Sequence, residues 1–120
     1  MNLQAVGESL NIEEAVLKEY EKNGLLQADR TENGTTDYPE SELPYIAHLY
    51  RLQKSGMDLH MLRQFVALLE KGSGRAADQI RLLRKCRFRL LDEIHGKQQS
   101  LDHIDYLIQE IKENNGGILL

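Results

Sequence analysis

The stretch VLKEYEKNGLLQADRTENGTTDY, residues 16–38, places a helix, a glycine exit and a hairpin in immediate succession. Ile12, Val16, Leu17 and Tyr20 recur at helical spacing and predict a helix from Asn11 to Lys22. Asn11 has the side chain of a helix cap, and Glu13 and Glu14 suit the positive end of the helix dipole. Asn23-Gly24 then stops the helix, because glycine adopts the left-handed C-terminal position without a steric penalty. Leu25 and Leu26 return the chain to the core. Asn33-Gly34 is a strong hairpin signal, since both residues tolerate positive φ. A two-stranded ribbon is expected over residues 27–38, with its tip near Glu32 to Thr35.

On the N-terminal side, Leu3 to Gly7 predicts a short helix with Leu3 and Val6 facing inward. On the C-terminal side, Pro39 ends the ribbon and Ser41-Glu42 open a helix through Leu43, Ile46, Leu49, Tyr50 and Leu52 to Ser55-Gly56. Met57-Asp58 start another, with Leu59, Leu62, Phe65, Val66 and Leu69 on one face and Gly72 closing it. From about Ala76 to Asn114 one helical pattern continues. Leu83, Leu90, Ile94, Leu101, Ile104, Ile108 and Ile111 alternate at three and four residues, and Arg87 and Lys97 fill two polar positions of the same stripe. A heptad this long implies a coiled coil, hence an antiparallel or parallel homodimer that covers the stripe. The division expected is a head over 1–70, a dimerisation helix over 71–113 and a tail over 114–120, ending in apolar Ile118-Leu119-Leu120.

The 120 residues suit one domain, or a small head with a helical extension, and no apolar run is long enough to span a bilayer. MNLQAVGESL carries no basic-plus-apolar signal pattern, and one cysteine rules out an internal disulfide, so a reducing, cytoplasmic setting is expected. Charge is divided unequally. Residues 1–70 hold six Lys and Arg against twelve Asp and Glu, a net of −6, whereas residues 71–120 hold nine against seven, a net of +2. An acidic head opposes non-specific attraction to phosphate, so local placement of its few cations decides what it binds.

Catalysis has no foothold: there is no nucleophile–base constellation, and Gly72-Ser73-Gly74 reads as a helix-joining loop without the Lys-Ser or Lys-Thr of a phosphate loop. No metal or other cofactor is expected. His95 and His103 lie eight apart on the long helix, too far for one chain to clamp an ion, and read with His48 and His60 as surface histidines. Cys86 has basic neighbours, Lys85 and Arg87, that favour a thiolate, yet it reads better as a helix-interface cysteine. Arg81, Arg84, Lys85, Arg87 and Arg89 form the most basic run. They read as partners for Asp92 and Glu93 and for Asp102, Asp105 and Glu110 of an antiparallel partner helix.

Leu17-x-x-Tyr20-Glu21-x-x-Gly24-Leu25-Leu26, Asn33-Gly34 with Tyr38, and Leu52-x-x-x-Gly56-Met57-x-Leu59 together resemble the MerR-type transcription regulators. The resemblance extends from Leu3 to about Lys112, and QQSLDHIDYLIQEIK is similar to the dimerisation helix of short members. It implies a mainly α fold: a winged helix-turn-helix head with a small β-hairpin wing and a long C-terminal antiparallel coiled-coil helix. It further implies a homodimer on a palindromic promoter that distorts the DNA so that RNA polymerase engages it, in response to an effector that the residues do not identify. Carried over position by position, the expected DNA contacts are Lys18, Tyr20, Arg30, Asn33, Thr35 and Thr36, flanked by Arg51 and Lys54, with Lys22 a further flanking cation. Several positions depart from the family pattern, among them Ala15, which stands where a basic residue is usual. Lys18 replaces the usual arginine, Glu19 replaces an aromatic residue, and Thr35-Thr36 replace the Tyr-Arg that follows the wing glycine. A lysine lacks the planar bidentate grip of arginine on phosphate. A different reading therefore stands beside the first: the scaffold has lost its DNA contacts and serves as a protein-interaction or heterodimerising module. A multidrug-type ligand sensor would need an aromatic pocket that this aromatic-poor chain hardly supplies.

Overall fold

The computed structural model describes residues 1–34, 36–70 and 75–114, the side chains of Arg30 and Glu70 excepted. Expectations for Thr35 at the wing tip, for Gly72-Ser73-Gly74 as a loop and helix stop, and for the tail beyond Asn114 lie outside the described residues. The chain runs through helices α1 (Leu3–Leu10) and α2 (Glu14–Lys22), strands β1 (Asp29–Arg30) and β2 (Thr36–Asp37), and a 3-10 turn at Glu40–Glu42. Helices α3 (Leu43–Lys54), α4 (Leu59–Glu70) and α5 (Ala76–Glu113) follow. This is the mainly helical, winged helix-turn-helix architecture that the family resemblance implies, with one long C-terminal helix.

The helix-turn-helix is set by its caps. The Asn2 side chain accepts a hydrogen bond from the Ala5 N–H at 2.8 Å and opens α1. That helix continues to Leu10, beyond the expected stop at Gly7, and ends where Asn11 turns left-handed at φ 56°. Asn11 is thus the C-terminal cap of α1, not the expected N-cap of α2; its N–H returns to the Gly7 carbonyl. Asparagine is one of the few residues besides glycine that adopts this conformation readily. Helix α2 starts later, behind Glu13, which makes no side-chain capping bond. At its other end the Gly24 N–H reaches the Glu21 carbonyl at 3.1 Å and the Leu25 N–H reaches that of Tyr20 at 2.9 Å. With Gly24 at φ +72°, this is the glycine exit that the sequence predicts.

The ribbon pairs Asp29 with Asp37 and Arg30 with Thr36 in antiparallel register. Its turn departs from an Asn-Gly pair with both residues at positive φ. Gly34 alone of the two is left-handed (φ +77°), and its N–H bonds the Thr31 carbonyl at 2.9 Å. The longer turn leaves Asn33 an ordinary conformation. Asp58 caps α4, its carboxylate accepting from the Met61 N–H at 2.8 Å.

The chain divides into two compact units, Met1–Cys86 and Arg87–Leu120. The core of the first joins Val6, Ile12, Leu17, Tyr20, Leu25, Tyr38, Ile46, Leu49, Met57 and Leu62. Leu69, expected on the inner face of α4, is 43% exposed, while Met61 takes a buried position that was not expected. The opening turns of α5 complete this core with buried Cys86 and partly buried Leu82 and Leu83. In the second unit Ile94, Leu101, Ile104 and Ile108 are each about half exposed, forming an unpartnered apolar stripe along the helix. No helix among the described residues is long and apolar enough to cross a membrane.

Candidate nucleic-acid interface

Helix α2 turns Leu17 and Tyr20 inward and leaves Glu14, Ala15, Lys18, Glu19, Glu21 and Lys22 in solvent. Beside it stands the ribbon, fixed at its base by Tyr38. The Tyr38 side chain is buried, and its hydroxyl donates to the Glu21 carboxylate. The Tyr38 N–H donates to the Met1 carbonyl at 2.7 Å. In return the Met1 ammonium donates to the Tyr38 carbonyl at 2.8 Å and to Asp37 Oδ1 at 2.7 Å. Helix and ribbon thereby enclose an open cleft of about 440 Å³, lined among others by Glu14, Lys18, Glu21, Gly34 and Thr36.

The expected contacts separate on this framework. Lys18 and Thr36 line the cleft, and Asn33 is exposed in the turn of the ribbon. Arg30 pairs with Thr36 through the ribbon backbone, its side chain lying outside the description, as does Thr35 altogether. Arg51 and Lys54 are exposed on the last turn of α3, with the Lys54 ammonium 5.2 Å from the centre of the Tyr50 ring. Tyr20 needs correction as a contact residue. It is 0% exposed, and its hydroxyl donates to Gln53 Oε1 from inside the head, so no atom of it is presented to a ligand. Its role is to tie α2 to the turn of α3 that carries Arg51 and Lys54.

Burial pushes the Tyr20 phenol up to about 12. Tyr38 reaches about 12 as well, through burial first and then its bond to Glu21. Both stay neutral donors throughout the physiological range. Among the described lining residues the cleft carries two carboxylates, Glu14 and Glu21, against the one Lys18 ammonium. Lys18 Nζ lies 3.7 Å from Glu14 Oε1, both largely in water, a pairing worth a few tenths of a kcal/mol that a phosphate can displace. Glu19 is exposed and accepts from the Asn23 side chain at 3.3 Å.

Sequence reasoning missed Glu14 and Glu21 as cleft residues and Gln53 as the partner of Tyr20. The four-residue spacing of Glu14 and Lys18 was a legible signal; the Glu21–Tyr38 and Tyr20–Gln53 pairs span 17 and 33 residues and left none. Elsewhere, Cys86 is buried with its Sγ 4.0 Å from the Ser55 carbonyl. His103 stacks on Tyr106, and Arg81 pairs with Asp78 at 3.1 Å. No cluster of three or more potential metal ligands occurs among the described residues.

The sequence profile of the MerR HTH family regulatory proteins matches residues 1–72. Three solved structures are similar across nearly the whole chain. A provisionally assigned MerR family transcriptional regulator from Listeria monocytogenes has a TM-score of 0.79 at 24% identity, covering 96% of either chain. HiNmlR, a MerR family regulator lacking the sensor domain and bound to promoter DNA, scores 0.78 at 22% identity, over 97% of this chain and 91% of its own. A MerR family transcriptional regulator from Bacillus thuringiensis scores 0.74 at 21% identity, over 92% and 97%. At these identities the likeness establishes a common fold. No curated protein sequence matches.

Proposed function

The chain belongs to the MerR HTH family of regulatory proteins, and we propose that it is a DNA-binding transcription regulator acting as a homodimer on a palindromic promoter. The observation that carries this reading is the cleft between α2 and the ribbon. A helix face and a wing stand side by side there, with Lys18 and Thr36 facing the same opening. A phosphate strand entering it meets the Lys18 ammonium and hydroxyl donors, while α2 presents Ala15 and Glu19 towards a groove. Arg30, Asn33, Thr35, Arg51 and Lys54 extend the contact on this reading, and Tyr20 supports it from within. The solved likeness to a promoter-bound regulator without a sensor domain agrees with a regulator built from head and helix.

The second half of the proposal is the dimer. The stripe of Leu90, Ile94, Leu101, Ile104, Ile108 and Ile111 is left open along one helix, and an antiparallel second copy covers it, bringing two heads to two half-sites. Leu83, at the near end of the stripe, already packs on its own head. The division into a head over 1–70, a helix over 71–113 and a tail over 114–120 belongs to this proposal. So do the cytoplasmic setting, the absence of catalysis, regulation by DNA distortion and engagement of RNA polymerase.

One observation favours a different reading. Lys18 is already paired with Glu14, and Glu19 stands exposed beside it, which suits a head that has exchanged DNA for a protein partner. The experiment that separates them is binding of the purified chain to duplex DNA over a salt series. The regulator binds and weakens steeply with salt; the interaction module shows no binding even at low salt.

A further inference from the structure

A second concavity lies in the Met1–Cys86 unit, away from the α2–ribbon cleft. It is a groove of about 470 Å³ between α4 and the first turns of α5. Ala67 and Leu68 of α4 and Leu82 of α5 form an apolar floor, with Gln64 on one rim and Arg81 and Lys85 on the other. Asp78 also reaches it, but its carboxylate is held by Arg81 at 3.1 Å and Arg75 at 3.7 Å. The charge presented to a ligand is therefore positive. Arg81 is 79% exposed, and neither the Lys85 ammonium nor the Gln64 amide has a partner among the described residues.

The groove also escapes the proposed dimer. At 3.6 residues per turn, Asp78, Arg81, Leu82 and Lys85 lie on the side of α5 opposite Ile80, Leu83, Arg87 and Leu90. A second helix laid along the stripe leaves this side in water. We infer that the groove is a binding site for a small amphipathic anion, an apolar chain or ring system ending in a carboxylate. The apolar part lies on Ala67, Leu68 and Leu82, and the carboxylate takes its hydrogen bonds from Arg81 and Lys85. Volume decides against a docked helix. About 470 Å³ falls within the range of small-molecule pockets, whereas a helix in a groove needs a longer series of apolar anchors than three side chains supply.

The inference concerns binding alone and holds whether or not the head binds DNA. The test is calorimetric titration of the full chain with decanoate below its micelle concentration. Decanol and decyltrimethylammonium serve as neutral and cationic counterparts of the same chain length. Decanoate saturates one site per chain, decanol binds roughly tenfold more weakly or less, and the cation does not bind. The double variant R81E/K85E changes only exposed side chains; it keeps the thermal midpoint within a few degrees and loses decanoate binding about tenfold or more. A67W fills the floor and removes binding of decanoate and decanol alike. No binding of decanoate to the folded parent overturns the assignment. So does binding that is indifferent to both variants, or equal affinity for the three chain-matched compounds.

Discussion

At Gly7 two opposing effects have comparable size. Alanine in place of a helical glycine favours the helix by about 1 kcal/mol. A Cβ there, however, would stand 2.8 Å from the Ile12 carbonyl oxygen, a backbone atom in the turn that sets α1 against α2. Overpacking of this kind costs about 1–3 kcal/mol, so the clash wins. Gly7→Ala is expected to lower the stability by about 1 kcal/mol and at most about 2 kcal/mol in denaturant titration, and a variant as stable as the parent would show that the turn yields. The buried phenols give a second residue-scale expectation. The folded values of Tyr20 and Tyr38 lie near 12, above the ordinary 10. Their stabilisation is therefore complete below pH 10 and is lost as the pH rises through 12. Unfolding monitored from pH 9 to 12 should show falling stability, and the fall should be smaller in Tyr38→Phe, which removes one of the two groups. An equal alkaline fall in Tyr38→Phe and the parent would assign the transition to other groups. These two phenols illustrate what a sequence hides. Tyr20 matched a motif and was read as a contact residue; its helical spacing with Leu17 already marked the inward face. Asn11 was misassigned because its side chain suits a cap and a left-handed corner alike, and the choice rests on where Gly7 lets α1 meet the turn.

At the scale of elements, the pattern of residues was far more legible. The Gly24 exit, the Asp58 start of α4 and the limits of α5 follow from local chemistry that a few neighbouring residues settle. The ribbon and its tip were placed correctly, but the conformation of Asn33 was not, because the register of Arg30 against Thr36 lengthens the loop beyond an Asn-Gly pair. The α2–ribbon cleft gives the next expectation. Lys18→Ala and Arg30→Ala should each weaken DNA binding by a similar factor on every sequence and lower the salt slope by about 1 per contact removed. Fluorescence anisotropy on specific and scrambled duplexes measures this; unchanged affinity in both variants would place the interface elsewhere. The exposed stripe of α5 supplies another. Covering a half-exposed Leu or Ile contributes on the order of 1 kcal/mol per side chain. Ile104, 54% exposed in the single chain, lies amid the stripe, and Ile104→Asp would bury a carboxylate against apolar neighbours. Sedimentation should then show monomers where the parent is a dimer. A variant that remains dimeric would remove the stripe from the interface.

For the whole molecule, the contrast is between a scaffold kept in full and a surface charge that runs against its proposed use. The fold depends on buried Leu, Ile, Tyr and Gly at fixed spacings, which the sequence displays plainly. The binding surface depends on the relation of a few charges in space. Glu14 beside Lys18 and Glu21 beneath Tyr38 were not legible as features of one cleft, because that depends on how the ribbon folds back on the helix through the Tyr38–Glu21 bond. If Lys18, Arg30, Arg51 and Lys54 each neutralise one phosphate, a dimer neutralises eight, and the slope of log affinity against log salt is about −7. The net charge of −6 on residues 1–70 makes low-salt, non-specific binding weak in comparison. The most direct measurement is therefore the salt dependence of binding to the duplex upstream of the chain's own gene, against a scrambled duplex of equal length. The account predicts preferential binding to the upstream duplex, falling steeply with salt. Absence of binding to either duplex at low salt would contradict it and leave the head as a surface for protein partners.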